Sequence, residues 1–376
     1  MAHYQIYAES DTTLYEKYPI RNTGIDQILE LTKTNSGSRL DGEYQGNTYN
    51  SRILINFDGP QLTELSNSIG TGAIGATHRK FYLNLKNIYA TDLPISYSLH
   101  ASAVSETWDN GTGNYDDTPE ARGGVSWRYK DNYDAANAWA TSFPGNITGN
   151  GGTSQTTGGG TWYIPSTATQ TFNNSSTDIR MDITEIVANW FSGAIINNGL
   201  ILKQSYEDER NANTALNLKF FSKETHTIYA PRLEVVWDDH VNGGGTNIVP
   251  ANSNGGPIVY FKNIEEKYPE GSRVRFQLGV RSKYPTKTYT TSSFYTTDER
   301  LPLTSSYAVC DAVTGETILD YDDVYTKISN DANGSYFNYW MNSLSPERYY
   351  KFKIRSKYSD SQIKYFDNGY YFRVVR

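Results

Sequence analysis

Hydrophobic and polar residues alternate along most of this chain with a period of two. In "SRILINFD", Ile53, Ile55 and Phe57 share one face; in "KFYLNLKNI", Phe81, Leu83 and Leu85 do; in "LPISYSLHA", Ile95, Tyr97 and Leu99 do. Successive side chains of a strand point to opposite faces, so each run predicts a half-buried β-strand. The opening "MAHYQIYAESDTTLYEKYPI" alternates from Tyr4 onward, and "NLKFFSKETHTIYAPRLEVVWDD" predicts two strands separated by a polar bend. One segment breaks the period. In "DITEIVANWFSGAIINNGLILK", Ile183, Ile186, Val187, Trp190 and Phe191 fall at i, i+3, i+4, i+7 and i+8, the stripe of a short amphipathic helix. Asp182 as N-cap with Glu185 three residues on makes a capping-box-like start, Gly193 a stop, and "NNG" a turn into the strand "LILK". So short a helix is unstable alone in water, and its stripe must pack on something larger, a sheet.

From Ser105 to Thr161 the texture changes to Gly, Asn, Asp and Thr with isolated tryptophans, in "SETWDNGTGNYDD", "RGGVSWRYKD" and "SFPGNITGNGGTSQTTGGGTWY". These predict long turn-rich loops with short strands between them, placed at the ends of a sandwich or over one face. "HVNGGGTNIVPANSNGGP" loses all periodicity and predicts a linker, which divides the chain into domains 1–238 and 257–376 joined by 239–256. Beyond it, "RVRFQLGVRSKY" sets Val274, Phe276, Leu278 and Val280 against Arg273, Arg275 and Gln277, and "RYYKFKIRSKY" sets Tyr350, Phe352 and Ile354 against Lys351, Lys353 and Arg355. Leu344, Pro346 and Tyr350 in "LSPERYY" are similar to the L-x-P-x-x-x-Y corner of fibronectin type III-like domains. The expected fold is all-β: an N-terminal jelly-roll-like sandwich with one short capping helix, then an Ig-like or fibronectin III-like sandwich.

Composition agrees, since 31 Tyr and 7 Trp suit half-buried pleated surfaces. Cys310 is the only cysteine, so no intrachain disulfide forms, and its place in the alternating "YAVCDAV" predicts a buried small residue. A net charge of −7, with Lys and Arg scattered along the strands, argues against a nucleic-acid partner. No run approaches the ~18–20 apolar residues of a membrane span. The N-terminus lacks the basic start and apolar run of a secretory signal, which predicts folding in a cytoplasm and removes the meaning of the sequon at Asn146.

Chemistry is sparse. His3, His78, His100, His226 and His240 form no metal-binding spacing, and no nucleophile-elbow, phosphate-loop or dinucleotide motif occurs. No cofactor and no enzymatic activity are expected. "DNGTGNYDD" offers Asp109, Asn114, Asp116 and Asp117 as calcium ligands, with plain turn chemistry as the competing reading. Trp108 and Trp127 are the candidates for stacking on a glycan, but for them, as for Trp139 and Trp162, burial under the long loops is the favoured reading.

"DTTLYEK", "SRILINFD", "SETWDN", the Asp182–Lys203 segment and "LEVVWDD" occur in the order of DNRLRE-type β-sandwich domains, which resemble carbohydrate-binding modules. The likeness rests on a D-[VI]-T-x-x-V-x-x-W helix followed by an N-x-G-[FLI]-x-[LI]-K strand. Asp182, Ile183, Thr184, Val187, Trp190, Asn197 or Asn198, Gly199, Leu202 and Lys203 fill that pattern, and the likeness covers about residues 1–238. It implies that the helix plugs the gap between two sheets, with Trp190 structural. "GGVSWRYKD", "GGGTWY", "DIRMDITEIV" and "LKFFSKETHTIYAPRLEVVWDD" are similar to the version carried by virion structural proteins of T4-like tailed bacteriophages, especially those of marine cyanobacteria. "DTTLYEK" departs from the commoner D-x-Y-[VI], so no ligand of that motif is carried over. The resemblance implies a non-enzymatic protein of the neck, tail, baseplate or fibres. It would be made in a bacterial cytoplasm and held by other virion proteins in a symmetric assembly, with no nucleic acid or membrane partner. The alternative it leaves open is an adhesin or module that recognises host surface polysaccharide.

Overall fold

A computed structural model of the protein describes residues 2–40, 43–140, 158–173, 177–211, 214–243, 249–250, 256–284, 299–359 and 361–376. The fold is all-β, with 46% of the described residues in strands and three short helices among them. It comprises two compact units, a larger one of 6–67 and 80–234 and a C-terminal one of 1–5, 68–79 and 235–376. The division is therefore not a single cut near residue 239. Of the expected linker, 244–248 and 251–255 lie outside the described residues, as does the Asn146 sequon. The rest is built into structure, since Asn242 bridges to Asn330 and Val249–Pro250 pairs with Glu299–Arg300.

The larger unit is a sandwich of two sheets. One holds Lys80–Leu85 and Ile179–Asp182, with residues 232–234 next to Lys80–Leu85 and residues 6–7 beyond those. The other runs Asn87–Thr91, Leu216–Phe221, Ile28–Leu40, Glu43–Asn56, Leu200–Gln204, Ser96–Val104, Trp162–Asn173, with Ser10–Tyr15 also on Glu43–Asn56. Apart from the pairs Ile28–Leu40 with Glu43–Asn56 and Ser96–Val104 with Trp162–Asn173, strand order departs from chain order, as in jelly rolls. Ile53, Ile55, Leu200 and Leu202 of the larger sheet and Phe81, Leu83, Ile179 and Met181 of the smaller are buried. Lys80–Leu85 alternates as expected, whereas "SRILINFD" is not half-buried: Arg52 and Leu54 on the opposite face are as inaccessible as Ile53. Ile95 is 82% exposed and precedes its strand, which begins at Ser96. No strand forms among the described residues of 105–161. That segment is irregular chain with one 3-10 turn, Ala135–Asn137, and a bridge between Tyr129 and Ala138.

The expected helix forms over Thr184–Phe191 and touches Lys80–Leu85 of one sheet and Trp162–Asn173 of the other. Ile183, Ile186, Val187 and Trp190 are buried, and Phe191 meets Phe81 edge-on at 6.0 Å. Its start lies one residue later than expected. Asp182 ends a strand, Ile183 is the N-cap, and no capping box with Glu185 forms. The Asp182 carboxylate still accepts the Thr184 N–H at 3.0 Å, while Thr184 Oγ1 accepts from the Phe81 N–H at 3.0 Å, tying helix to sheet. Gly193 follows at φ +73°, the left-handed stop. The helix is one of three, not one. Pro60–Gly70 opens on a proline that needs no amide partner and buries Leu62 and Leu65, and Tyr206–Arg210 is described below.

The C-terminal unit is a second sandwich. One sheet joins Ile258–Phe261, Arg273–Arg281, Gly334–Trp340 and Ser329–Asp331, with Val249–Pro250 and Glu299–Arg300 at its margin. The other joins Thr317–Leu319, Ser305–Asp311, Tyr349–Ser359 and Tyr371–Val375, with Gln362–Phe366 and Lys267–Pro269. The connectivity is that of an Ig-like fold, with hairpin-linked and crossing strands shared between two sheets. Phe276, Phe337, Phe352, Phe372, Tyr307 and Tyr339 fill the space between them, Phe276 and Phe352 at 4.7 Å. Tyr350 is buried at the start of its strand and donates its hydroxyl to the Ser345 carbonyl at 2.7 Å. Leu344 is buried beside that turn, so L-x-P-x-x-x-Y forms a tyrosine corner.

Trp190→Ala is expected to cost about 3–5 kcal/mol by opening a cavity between the sheets. Tyr350→Phe should cost about 0.5–1.5 kcal/mol through the lost corner bond. Denaturant midpoints of the two variants check both.

Candidate functional site

The outer face of the larger sheet carries residues that alternation places toward solvent, yet its middle, around Arg52, is covered. Arg52 projects from Glu43–Asn56 with no exposed side-chain surface and meets Glu209 in a two-pronged pair, Nε to Oε1 at 2.9 Å and Nη2 to Oε2 at 2.7 Å. Its remaining nitrogen, Nη1, donates to the Gly159 carbonyl at 2.6 Å. The guanidinium carbon lies 4.8 Å from the Trp127 ring centroid and 5.2 Å from that of Trp162. Arg suits this position because its planar group stacks on aromatic faces while its edge spends N–H donors on a carboxylate. Lys203, buried beside it, places Nζ 4.6 Å from the Trp162 ring and donates to the Gln204 carbonyl at 3.2 Å.

Glu209 is delivered by Tyr206–Arg210, a helix too short to hold itself. Ser205 caps it by accepting the Asp208 N–H at 3.0 Å. The buried Lys33 ammonium gathers the Asp208 and Asn211 carbonyls at its far end and donates to Thr214 Oγ1 at 2.8 Å. Asn50 joins the two, donating Nδ2 to the Glu209 carbonyl at 3.3 Å and to Glu16 Oε2 at 3.2 Å.

Against this frame the glycan candidates change meaning. Trp127 is fully buried, with Arg52 over its ring and Gly158 and Gly159 packed against it, so it presents no face to a sugar. Trp108 is half-buried against the same cluster and spends its indole N–H on the Asn198 carbonyl at 2.8 Å. Trp139 and Trp162 are buried too, Trp139 donating to the Ser126 carbonyl at 3.1 Å. The calcium candidates do not converge. Asn114–Asp117 is a turn in which the Asp117 carboxylate accepts the Asn114 N–H at 2.8 Å, and Asp109 is held by backbone bonds to Lys130 and Val125. Asn22 secures this loop instead, donating to the Asn110 and Val125 carbonyls at 2.8 Å and accepting from Gly113 N–H at 2.7 Å. Among the described residues no three His, Cys, Asp or Glu lie close enough to hold a metal. Cys310 is buried, 3.7 Å from Thr317 Oγ1.

Exposed aromatic residues gather elsewhere. On the outward face of Tyr349–Ser359 in the C-terminal unit stand Tyr349, Lys351, Lys353, Arg355 and Lys357, flanked by Arg373, Tyr371, Tyr365 and Ile363 across the register. The basic residues that look scattered along the chain are here aligned in one row.

Among the groups with shifted protonation are two carboxyls and two lysines. Burial pushes the Asp11 carboxyl up to about 7, against the Lys223 N–H that its Oδ2 accepts at 2.6 Å, and pushes Asp26 up to about 6. Burial lowers Lys33 and Lys203 to about 8.

Neither a protein-family model nor a curated protein sequence matches this chain.

Glu209→Ala leaves Arg52 buried without its counter-charge and should cost about 3–5 kcal/mol, whereas Arg52→Met with Glu209→Leu should cost much less; thermal or denaturant unfolding measures both. Between its usual 3.8 and about 7, folded Asp11 keeps a proton that the unfolded chain has lost. Asp26 behaves likewise up to about 6, so stability falls as pH climbs from about 4 to 7. Lys33 and Lys203 act in the other direction, adding stability as pH rises from about 8 to their usual 10.5. Asp11→Asn should flatten the melting profile between pH 5 and 7 and raise stability most at the upper end.

Proposed function

We propose that the chain is a non-enzymatic structural protein of a tailed-bacteriophage particle, joined to its neighbours through protein–protein contacts. The observation that carries this reading is the meeting of two segments similar to the virion version of the sandwich with one similar to the DNRLRE-type domain in general. Trp127 of "GGVSWRYKD", Gly159 and Trp162 of "GGGTWY" and Arg52 of "SRILINFD" converge on one buried cluster. Segments far apart in the chain thus form one cooperative unit, the pattern expected of a shared domain. The helix bearing Ile183, Val187 and Trp190 bridges the two sheets, as the same likeness implies.

Edge strands fit a protein that tolerates high local concentration in an assembly. Ile179–Asp182, Asn87–Thr91, Thr317–Leu319 and Lys267–Pro269 span only three to five residues, and the longer edge strand Trp162–Asn173 contains Pro165. Short edges and proline limit uncontrolled strand pairing, leaving contacts to side-chain surfaces. Mass spectrometry of density-purified particles, with antibody-gold labelling, should find the protein at fixed stoichiometry at one place on the particle. Its absence from purified particles overturns the proposal.

A further inference from the structure

The row of cations on Tyr349–Ser359 sits in an arrangement that the folding of the C-terminal unit does not require. Phe352 and Ile354 face inward and supply the core, while Lys351, Lys353, Arg355 and Lys357 face out over Cys310, Ala308 and Ser306 of the neighbouring strand. These small residues leave a low floor beneath the long side chains. Along the opposite edge stand Tyr371 and Tyr365, 62% and 65% exposed. Each has a supporting ring: Tyr371 meets Tyr349 at 6.0 Å, and Tyr365 meets Tyr321 at 5.7 Å. Lys353 lies between these two aromatic pairs, opposite the break between Gln362–Phe366 and Tyr371–Val375.

The charges are of both signs. Lys351 pairs with Asp367 at 2.9 Å, Arg355 and Lys357 share Asp323, and Arg373 pairs with Glu347. Arg355 is further locked by donating Nε to Ser306 Oγ at 3.1 Å and lying 4.9 Å from the Tyr321 ring. Lys353 alone of the row makes no ion pair among the described residues, and it is half-exposed.

Three kinds of occupant have different needs. A single-stranded nucleic acid asks for rings together with cations free to meet phosphates, and here carboxylates stand beside four of the five cations. A protein interface is depleted in lysine, of which this face has three. A polysaccharide needs what is present: ring faces for the C–H faces of sugars, fixed carboxylates to accept hydroxyl protons, fixed cations to donate, and one unpaired ammonium for an acidic substituent.

We propose that this face binds an acidic polysaccharide, with Tyr371 and Tyr365 stacking on sugar rings and Lys353 pairing with a sugar carboxylate. The site is independent of the virion reading. It also lies apart from the tryptophans of the larger unit, which are used up in packing.

Titration of the full chain against polygalacturonate, alginate and hyaluronate, with neutral dextran and a 20-residue oligothymidylate as comparators, tests it. Binding to at least one uronate polymer and none to dextran is expected. Tyr371→Ala and Tyr365→Ala should each weaken it about three- to tenfold. Lys353→Glu should weaken it at least as much, while Tyr89→Ala in the larger unit changes nothing. Melting curves confirm that each variant is folded. No binding to any of the three uronate polymers, binding indifferent to all three substitutions, or tighter binding of the oligonucleotide would overturn the proposal.

Discussion

A guanidinium buried between two tryptophans and a glutamate is the constraint on which the larger unit turns. Removing Arg52 and Glu209 from water carries a desolvation cost of several kcal/mol per ion, which only near-ideal pairing offsets. The pairing is near-ideal because four separate pieces of chain supply it: the strand bearing Arg52, the helix bearing Glu209, the Gly159 carbonyl, and the rings of Trp127 and Trp162. Remove the loop layer and Arg52 loses its roof; remove Arg52 and the loop layer loses what it closes on. Gly159 shows how tight the fit is. At φ +85° a side chain is disfavoured, and a Cβ there would stand 2.4 Å from Arg52 Nη1. The polar frame reaches further through Asn50 and Lys33, which fasten the Glu209 helix at its middle and its end.

The C-terminal unit is held differently. Its core is a stack of aromatic rings, closed at one end by the tyrosine corner; its row of cations faces outward, and the buried Asp311 pairs with Arg348 at 3.5 Å. The two units consequently differ in what they leave for recognition. In the larger one, aromatic residues and cations are consumed in holding loops to a sheet. In the smaller one, the same residue types remain at the surface, ordered by strand register.

Much of this was legible in the residue pattern. Period-two runs located most strands, the Ile183–Phe191 stripe located the bridging helix, and Leu344, Pro346 and Tyr350 located the corner, because each signal is local and carried by burial. What escaped was non-local. Arg52 and Glu209 lie 157 positions apart, and nothing beside either shows that a charge will be buried there. The same roof makes both faces of the strand bearing Arg52 inaccessible from Asn50 to Ile55, so alternation alone misjudged its outer face. Ile95 followed the period but fell outside the strand it seemed to start, since periodicity does not mark where pairing ends. The helix Pro60–Gly70 was missed because only Leu62 and Leu65 are buried in a mostly polar segment, too narrow a stripe to register beside its proline and glycine signals. Burial of the loop tryptophans was legible; that Trp127 and Trp162 would flank Arg52 was not.

The claim that the loop layer is core, folded onto the sheet through Arg52, is tested most directly by native-state hydrogen exchange. The amides of Asp109, Val125, Lys130, Trp139 and Gly159 donate to backbone carbonyls within the layer or close to it. They should be protected to nearly the level of Leu54 and Ile201 in the sheet beneath and open only with it. Exchange of these amides by separate, low-energy opening, while the sheet stays protected, would contradict the account.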